Sequence, residues 1–321
     1  MIRTAIFGYG NLGRGTLRAL LKSADVEVVG VFTRREKAEV IPDGNTAVIS
    51  ASDIFNYENE IDVLFVCGGS ADDLPTFTPL LAERFNVVDS FDRHPEIRRH
   101  LRNVDFAAKR GGKLALVSAG WDPGIFSVIR FMSKAVFPDC AVSTFWGEGV
   151  SQGHSEAVRR VNGVKDAIQL TEPKGAAVES ALRGEPFDAD PHATHKRECF
   201  VVPEEGSDKA RIEREIRTMP DYFEGYETTV SFVTENELYA SFPTMHHGGQ
   251  VIANANSEPA GATARFLLSM KSNPDFTGAV LAACGRAVYA VANRGRTGAI
   301  TVLELSPADF AMPTLDMLSF L

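Results

Sequence analysis

Two groups of residues near the amino terminus could do chemistry together. Gly8-Tyr9-Gly10-Asn11-Leu12-Gly13 follows the apolar run Thr4-Ala5-Ile6-Phe7. In a strand–turn–helix, Gly8 permits the tight turn and Gly10 lets the backbone approach a pyrophosphate. Gly13 lets the helix pack close to the sheet, and the helix N-terminus faces the anion. Thr33-Arg34-Arg35 stands just past a second apolar run, Val26 to Phe32. A site for NAD wants an acid about 20 residues beyond the glycines, to accept from the ribose hydroxyls. Here two cations stand there. They suit a 2′-phosphate, gripped through charge-assisted bonds, with Thr33 adding a hydroxyl. The expected cofactor is therefore NADP.

In an open parallel sheet, ligands sit beyond the carboxyl ends of the strands. Three stretches follow strands in that way: Cys67-Gly68-Gly69-Ser70, Asp89-Ser90-Phe91-Asp92, and Ser118-Ala119-Gly120-Trp121-Asp122-Pro123-Gly124. Asp92 and Asp122 would then point toward the nicotinamide end of the cleft. Two carboxylates there would hold a substrate ammonium and help take its protons. Alternatively, Asp92 and Asp122 each cap the helix that follows. Four further stretches carry binding-type residues. Thr144-Phe145-Trp146-Gly147-Glu148-Gly149 runs into Ser151-Gln152-Gly153-His154-Ser155. Thr194-His195-Lys196-Arg197 precedes an apolar strand, where Arg197 either clamps a carboxylate or blunts a strand edge. Met245-His246-His247-Gly248-Gly249 reads as a His pair in a tight turn. Asn273-Pro274-Asp275 reads as a turn or helix start. No HxxxH or HExxH spacing occurs and no Cys joins the histidines, so no metal site is expected. Gly-x-Ser-x-Gly is absent, which disfavours nucleophilic hydrolysis.

Alternating elements must position these groups. Strands are expected at Arg3–Phe7, Val26–Phe32, Val63–Cys67, Asn86–Asp89 and Lys113–Ser118. Helices are expected at Leu12–Lys22, Leu74–Phe85 and Pro95–Arg110, with residues 36–60 irregular apart from a cap at Asp53. This rhythm predicts an α/β fold: an N-terminal Rossmann domain, doubly wound around a parallel sheet. Pro123 suits the start of a helix to about Phe137. A mixture of strands (Ser143–Trp146, Ala167–Thr171, Glu198–Val202, Thr228–Val233) and helices (Ala176–Arg183, Lys209–Arg217) then predicts an α+β substrate and dimerisation domain. The expected division is 1–121 joined by 274–321, against 122–273. Phe276–Asn293 reads as a helix and Thr301–Glu304 as a final strand.

Bulk properties narrow the class. The chain has 321 residues, enough for two domains. Its net charge of −9 argues against a general nucleic-acid partner and permits a small zwitterionic or cationic substrate. The four cysteines, Cys67, Cys140, Cys199 and Cys284, are widely spaced, as in a reduced, cytoplasmic protein. No leader is evident, and no stretch approaches the ~18 apolar residues of a membrane span.

On these residues the chain resembles the meso-diaminopimelate dehydrogenase family, NADP-dependent D-amino acid dehydrogenases of lysine metabolism. The resemblance runs nearly end to end and rests on GYGNLGR (8–14), TRR (33–35), GWDPG (120–124), TFWG (144–147), SQGHS (151–155), THKR (194–197), RTMPDYF (217–223), HGG (247–249) and NPDF (273–276). It implies reversible oxidative deamination at the D-centre of meso-2,6-diaminopimelate, a small-molecule substrate, in a homodimer. It further implies that Asp92, Asp122 and Trp146 surround the reacting centre, and that Gln152 and Gly153 line the pocket. Thr171, Arg197, His247 and Asn273 would hold the distal L-centre. Tyr9 to Leu12, Thr33 to Arg35, Cys67 to Ser70, and Ala119 to Pro123 would contact the cofactor, as would Ser90 and Phe91 beside Asp92.

The chain departs from the family pattern at three places. His246 stands where Pro often precedes the binding His, Glu148 where Pro is expected, and Gly69 where a larger residue is expected. These changes bear on substrate range. Two other readings compete. Dihydrodipicolinate reductases share the N-terminal fold and a His-His motif, but Gly-Gly follows the pair here. A silent NADP-binding sensor would not need Asp92, Asp122 and Arg197 together.

Overall fold

Short apolar strands followed by amphipathic helices build a parallel sheet from the first residues. The computed structural model describes residues 1–137, 139–255, 261–312 and 314–321. It has two compact units, Met1–Val128 with Pro274–Leu321, and Ile129–Asn273. The first opens with β1 (Ile2–Phe7), α1 (Asn11–Leu21), β2 (Val26–Thr33), β3 (Val48–Ser50), β4 (Val63–Val66), α2 (Asp73–Ala82), β5 (Val87–Asp89), α3 (Ile97–Gly111) and β6 (Leu114–Leu116). Side chains alternate across these strands. Ile6, Val31 and Phe65 join one core with Leu17 and Leu20 of α1, whereas Ala5, Phe7, Phe32 and Leu64 join a second with Leu74, Leu81, Val104 and Ala108 of α2 and α3. Each such fully buried Leu or Phe contributes about 1.5–3 kcal/mol.

The Trp121–Ile125 stretch is not regular helix: Asp122 and Pro123 are extended, and α4 begins only at Phe126 (Phe126–Val136). Asp122 therefore stands outside the helix that Pro123 was expected to start.

The second unit continues with β7 (Ala141–Trp146), β8 (Gly149–Val150), α5 (Gln152–Arg159), β9 (Val164–Pro173), α6 (Gly175–Arg183), α7 (Pro191–Thr194), β10 (His195–Pro203), α8 (Lys209–Arg217), β11 (Glu227–Phe232), α9 (Glu235–Ser241), β12 (His247–Ala255) and β13 (Ala262–Met270). Two sheets form, in the orders β11-β10-β9-β8 and β13-β12-β7. β10 runs parallel to β11 and antiparallel to β9, and β12 is antiparallel to both neighbours. The expected tight turn at His246-His247 is instead the start of β12, a fully buried central strand.

The first unit is completed by α10 (Asn273–Asn293) and β14 (Gly298–Ile300). The final strand thus ends directly before the expected Thr301–Glu304, where Val302–Glu304 instead forms a 3-10 turn. The seven-stranded order is β14-β6-β5-β4-β1-β2-β3, all pairs parallel. Strand direction of growth reverses between β1 and β4, the switch point where dinucleotides bind in such sheets. β3 pairs with β2 inside a stretch expected to be irregular, and Ser50, not Asp53, precedes the turn that follows it. By length and composition α10 could cross a membrane, yet its buried face is core. Arg286 on that helix pairs bidentately with Asp25 at 2.7 and 3.0 Å. Gly15 and Gly278 let α1 and α10 touch, since a Cβ at Gly278 would lie 2.3 Å from the Gly15 carbonyl carbon.

Candidate active site

In the first unit the glycine turn has the geometry its spacing implies. Gly8 has φ +97° and a Cβ there would stand 2.6 Å from the Cys67 carbonyl oxygen. A Cβ at Gly13 would meet the Gly8 carbonyl oxygen at 2.3 Å, so α1 seats directly on the turn. Nothing lies within 4 Å of a Cβ position at Gly10. Gly10 is also the N-cap, with no capping side chain and no acid in the first turn, so the amino end of α1 is left for an anion. Asn11 and Leu12 open that helix. Tyr9 is buried, and its hydroxyl accepts from the Asp43 N–H at 3.2 Å.

At the end of β2 the two arginines are held differently. Arg35 Nη2 donates to the Tyr9 carbonyl at 2.5 Å, and its own N–H donates to Thr33 Oγ1 at 3.1 Å. Arg34 Nη2 donates to Asp73 Oδ1 at 2.6 Å while its guanidinium lies 4.9 Å from the centre of the Phe77 ring. Asp73 Oδ2 accepts from the Gly69 N–H at 3.1 Å. Gly68 is forced, because a Cβ there would meet Asp73 Cβ at 2.5 Å; at Gly69 the nearest atom would be 3.8 Å away. A larger residue at Gly69 would thus fit. Burial pushes the Cys67 thiol up to about 12, which makes it packing rather than a nucleophile. These residues fit a dinucleotide carrying a 2′-phosphate.

Ser70, Phe91, Asp92 and Ala119 to Pro123 all emerge at the carboxyl end of the same sheet. Ser70 Oγ accepts from the Asp92 N–H at 3.2 Å, which links the β4 and β5 exits. Asp92 is exposed and precedes the 3-10 turn His94–Glu96, whose N-cap is Arg93. Trp121 is buried edge-on against Phe126, at 5.2 Å. Gly120 and Ser90 complete these exits.

In the second unit, strand register assembles a compact polar cluster. Arg197 on β10 stands opposite Thr171 on β9, and Thr171 stands opposite Gly149 on β8. A Cβ at Gly149 would lie 2.4 Å from His247 Cα, so His247 packs directly on that strand. Arg197 Nη1 donates to Thr171 Oγ1, and its guanidinium lies 4.3 Å from the centre of the Tyr226 ring. Its Nε is buried with no partner among the described residues. Burial holds this guanidinium below its usual range, with Tyr226 working the other way. Arg197 is only 9% exposed and lies on an interior strand, so it does not blunt a sheet edge. Asn273 is brought to the same segment by its N–H, which donates to the Met245 carbonyl at 2.8 Å. Trp146 ends β7, and Gln152 and Gly153 form the first turn of α5 behind Ser151. Glu148 is exposed, and His246 stacks 6.5 Å from Phe242.

Three residues of this cluster received no substrate role in the sequence reading: His195 and His154, which lie inside stretches quoted there, and Tyr226, which does not. His195 Nε2 accepts from the Trp146 N–H at 2.9 Å, with Nδ1 2.9 Å from Thr194 Oγ1. Burial, then the charge of Arg197, lowers it to about 4. His154 Nδ1 lies 2.6 Å from Ser151 Oγ, and burial, Arg197 and His247 lower it to about 3. Burial also lowers His247. The period-2 spacing of His195 and Arg197 was the available signal for one of them. Tyr226 carried none. Among the described residues, no group of three His, Cys, Asp or Glu is arranged to hold a metal ion.

The parallel sheet, its glycine turn and the separate second unit define a Rossmann-type dinucleotide-binding protein with an added domain. Residues 120–272 match the model of the diaminopimelic acid dehydrogenase C-terminal domain. The meso-diaminopimelate D-dehydrogenase of Ureibacillus thermosphaericus is 46% identical over 305 residues, covering 95% of this chain and 94% of that protein. Among solved structures, Corynebacterium glutamicum diaminopimelate dehydrogenase in complex with diaminopimelate superposes with a TM-score of 0.91 at 43% identity, covering 99% and 98% of the two chains. An engineered D-amino acid dehydrogenase bound to NADP+ gives 0.88 at 42%, with the same coverage. The chain belongs to the meso-diaminopimelate D-dehydrogenase family.

Proposed function

We infer that the protein catalyses the NADP+-dependent, reversible oxidative deamination of the D-centre of meso-2,6-diaminopimelate. The products are L-2-amino-6-oxopimelate, ammonia and NADPH, a step of lysine biosynthesis. The observation that carries this reading, beside family membership, is the buried Arg197 guanidinium set between Thr171 and Tyr226 with a donor to spare. A dehydrated cation of this kind calls for an anionic ligand.

The substrate has two chemically identical ends of opposite chirality, so one must be fixed while the other reacts. Arg197, Thr171 and His247 hold the distal carboxylate, and Asn273 contacts the distal head group. Trp146, Gln152 and Gly153 line the pocket. Asp92 and Asp122 receive the reacting ammonium, and Asp122 takes its proton directly or through a water. NADP+, when bound, supplies the hydride acceptor. Thr33, Arg34 and Arg35 hold its 2′-phosphate, and Gly8 to Gly13, Cys67 to Ser70, Ser90 to Asp92 and Ala119 to Pro123 hold its remainder. Water then hydrolyses the substrate imine and releases ammonia. Positioning of this type accounts for on the order of 7–11 kcal/mol in ideal systems.

The first unit serves as cofactor domain and the second as substrate and dimerisation domain. Exposed Phe131, Met132 and Val136 of α4 and Leu267 of β13 support a homodimer, which light scattering tests. Four buried, unpaired cysteines fit a reducing cytoplasm. The decisive assay is nicotinamide reduction with meso-diaminopimelate, run with NADP+, NAD+ and the LL isomer. Turnover with NADP+ and the meso isomer alone is expected. Its absence in a protein that binds NADPH overturns the reading.

A further inference from the structure

β5 and β6 pair over only two positions, Val87 with Ala115 and Val88 with Leu116. Beyond them the two strand exits are tied by one residue. Asp89 is completely buried. Its Oδ1 accepts from the Ser118 N–H at 2.8 Å and from the Phe91 N–H at 3.2 Å. Its carbonyl accepts from the Ala119 N–H at 2.8 Å. Its Oδ2 lies 2.6 Å from His100 Nε2 on α3, and the His100 ring stacks on Phe91 at 4.2 Å and 18°. Ser118, whose N–H this carboxylate holds, has φ +58°, a left-handed conformation that a side chain other than glycine keeps only when its surroundings impose it.

We propose that Asp89, held by His100, is a positioning residue that sets the two turns bearing Asp92 and Asp122 for the deamination. The inference rests on the reading above, because it takes those two acids as the groups that meet the ammonium. Phe91 immediately precedes Asp92, and Ser118 and Ala119 lie four and three residues before Asp122. One carboxylate therefore accepts from both turns at once. A buried carboxylate is a costly way to join two loops, since it tolerates burial only with its hydrogen bonds made. What it gives that apolar packing does not is direction, because each backbone N–H it accepts is fixed to within hydrogen-bond geometry. His100 fills the second oxygen and, through its stack on Phe91, keeps the first turn against α3.

The test compares Asp89→Ala, Asp89→Asn and His100→Phe in the full chain with NADP+ and meso-diaminopimelate. Asp89→Asn keeps Oδ1 as acceptor and offers its amide to His100 Nε2 in the tautomer with the proton on Nδ1. Asp89→Ala is expected to lower kcat about 100-fold and to weaken NADPH binding by less than about tenfold, since the same turns also meet the cofactor, and Asp89→Asn to restore kcat to within about fivefold. His100→Phe, which keeps the stack, is expected to lower kcat about tenfold. Amide exchange at residues 90–93 and 118–122 should quicken in Asp89→Ala whether or not a substrate turns over. Unchanged exchange overturns the proposal, as does a kcat within threefold of wild type. A kcat loss accompanied by quickened exchange throughout the parallel sheet also overturns it, since that is a general structural defect. If Asp89→Ala does not fold, His100→Phe decides by the same measures. A wild-type protein that shows no turnover refutes the functional reading instead, and the exchange result still judges the brace.

Discussion

Replacing Arg197 by Met should weaken catalysis and strengthen the fold at once. Arg197 is 9% exposed, its guanidinium meets Thr171 Oγ1 and the Tyr226 ring, and its buried Nε has no partner among the described residues. Burial is the main cause of its lowered pKa, and Tyr226 and Cys199 alone counter it. The cation is thus dehydrated without a carboxylate to repay it. Exchanging buried charge for apolar volume is often stabilising by about 1–4 kcal/mol. Because Arg197 has no carboxylate partner to be orphaned, and only the Thr171 hydroxyl and Tyr226 lose a contact, a gain near the lower half of that range is expected. The substrate carboxylate loses its charged partner, a change worth about 2–5 kcal/mol. At about 1.4 kcal/mol per decade, kcat/KM for meso-diaminopimelate should fall roughly 30- to 3,000-fold. NADP+ affinity, which the proposed reading assigns to the first unit, should not move. The assays are urea unfolding and steady-state kinetics on one preparation. A protein less stable than wild type, with kcat/KM within tenfold, would refute the argument that Arg197 is held without a counter-charge for a ligand.

Other consequences are testable alongside it. Arg34→Ala with Arg35→Ala should raise KM for NADP+ at least about 100-fold and leave NAD+ nearly unchanged, since each charge-assisted bond to phosphate is worth about 1.5–3 kcal/mol. Gly278→Ala should cost about 3 kcal/mol in urea unfolding, because its Cβ would meet Gly15 backbone that cannot yield. His195 has a folded-state pKa of about 4, below its ordinary value of 6.5, so the unfolded chain takes up that proton first. Its contribution to stability is complete above pH 6.5 and lost as pH falls toward 4. The protonated ring can no longer accept from the Trp146 N–H. In a Trp121→Phe background, Trp146 fluorescence should report that loss, and His195→Phe should remove its share of the dependence between pH 6.5 and 4, leaving that of His154 and His247.

The sequence discloses the first unit more fully than the second for physical reasons. β1, α1 and β2 are read from local signals: an apolar run, a glycine turn and an amphipathic repeat. β3 has only three residues and exists because β2 offers it an edge. β12 was hidden by its own glycines. Gly248 and Gly249 follow two histidines and read as a turn, yet both lie within β12, and Gly248 is small because a Cβ there would lie 2.7 Å from the Leu268 carbonyl oxygen. Glycine in a strand can mark close backbone approach rather than a bend. Thr171, Arg197 and His247 are separated by tens of residues, and only the β8-β9-β10 register and the Gly149 contact bring them together. Residue type alone offered Arg197 as a carboxylate clamp and His247 as one of a His pair; resemblance, not spacing, joined them with Thr171.

On the proposed reading, the histidines around Arg197 suit that site to a zwitterion. His154, His195 and His247 are all lowered, chiefly by burial, and Arg197 adds to each shift. Near neutral pH they are uncharged, so the cluster carries one positive charge rather than four. That is enough to pair with one carboxylate without repelling the ammonium on the same carbon. A neutral imidazole also retains an acceptor nitrogen, which a protonated one lacks. His195 already spends its acceptor on the Trp146 backbone, which couples the wall at the end of β7 to the charge state of β10. The same dehydration that leaves Arg197 in need of an anion therefore keeps its neighbours neutral. Binding strength and tolerance of the nearby ammonium have one structural cause, the burial of β9, β10 and β12 around a single guanidinium.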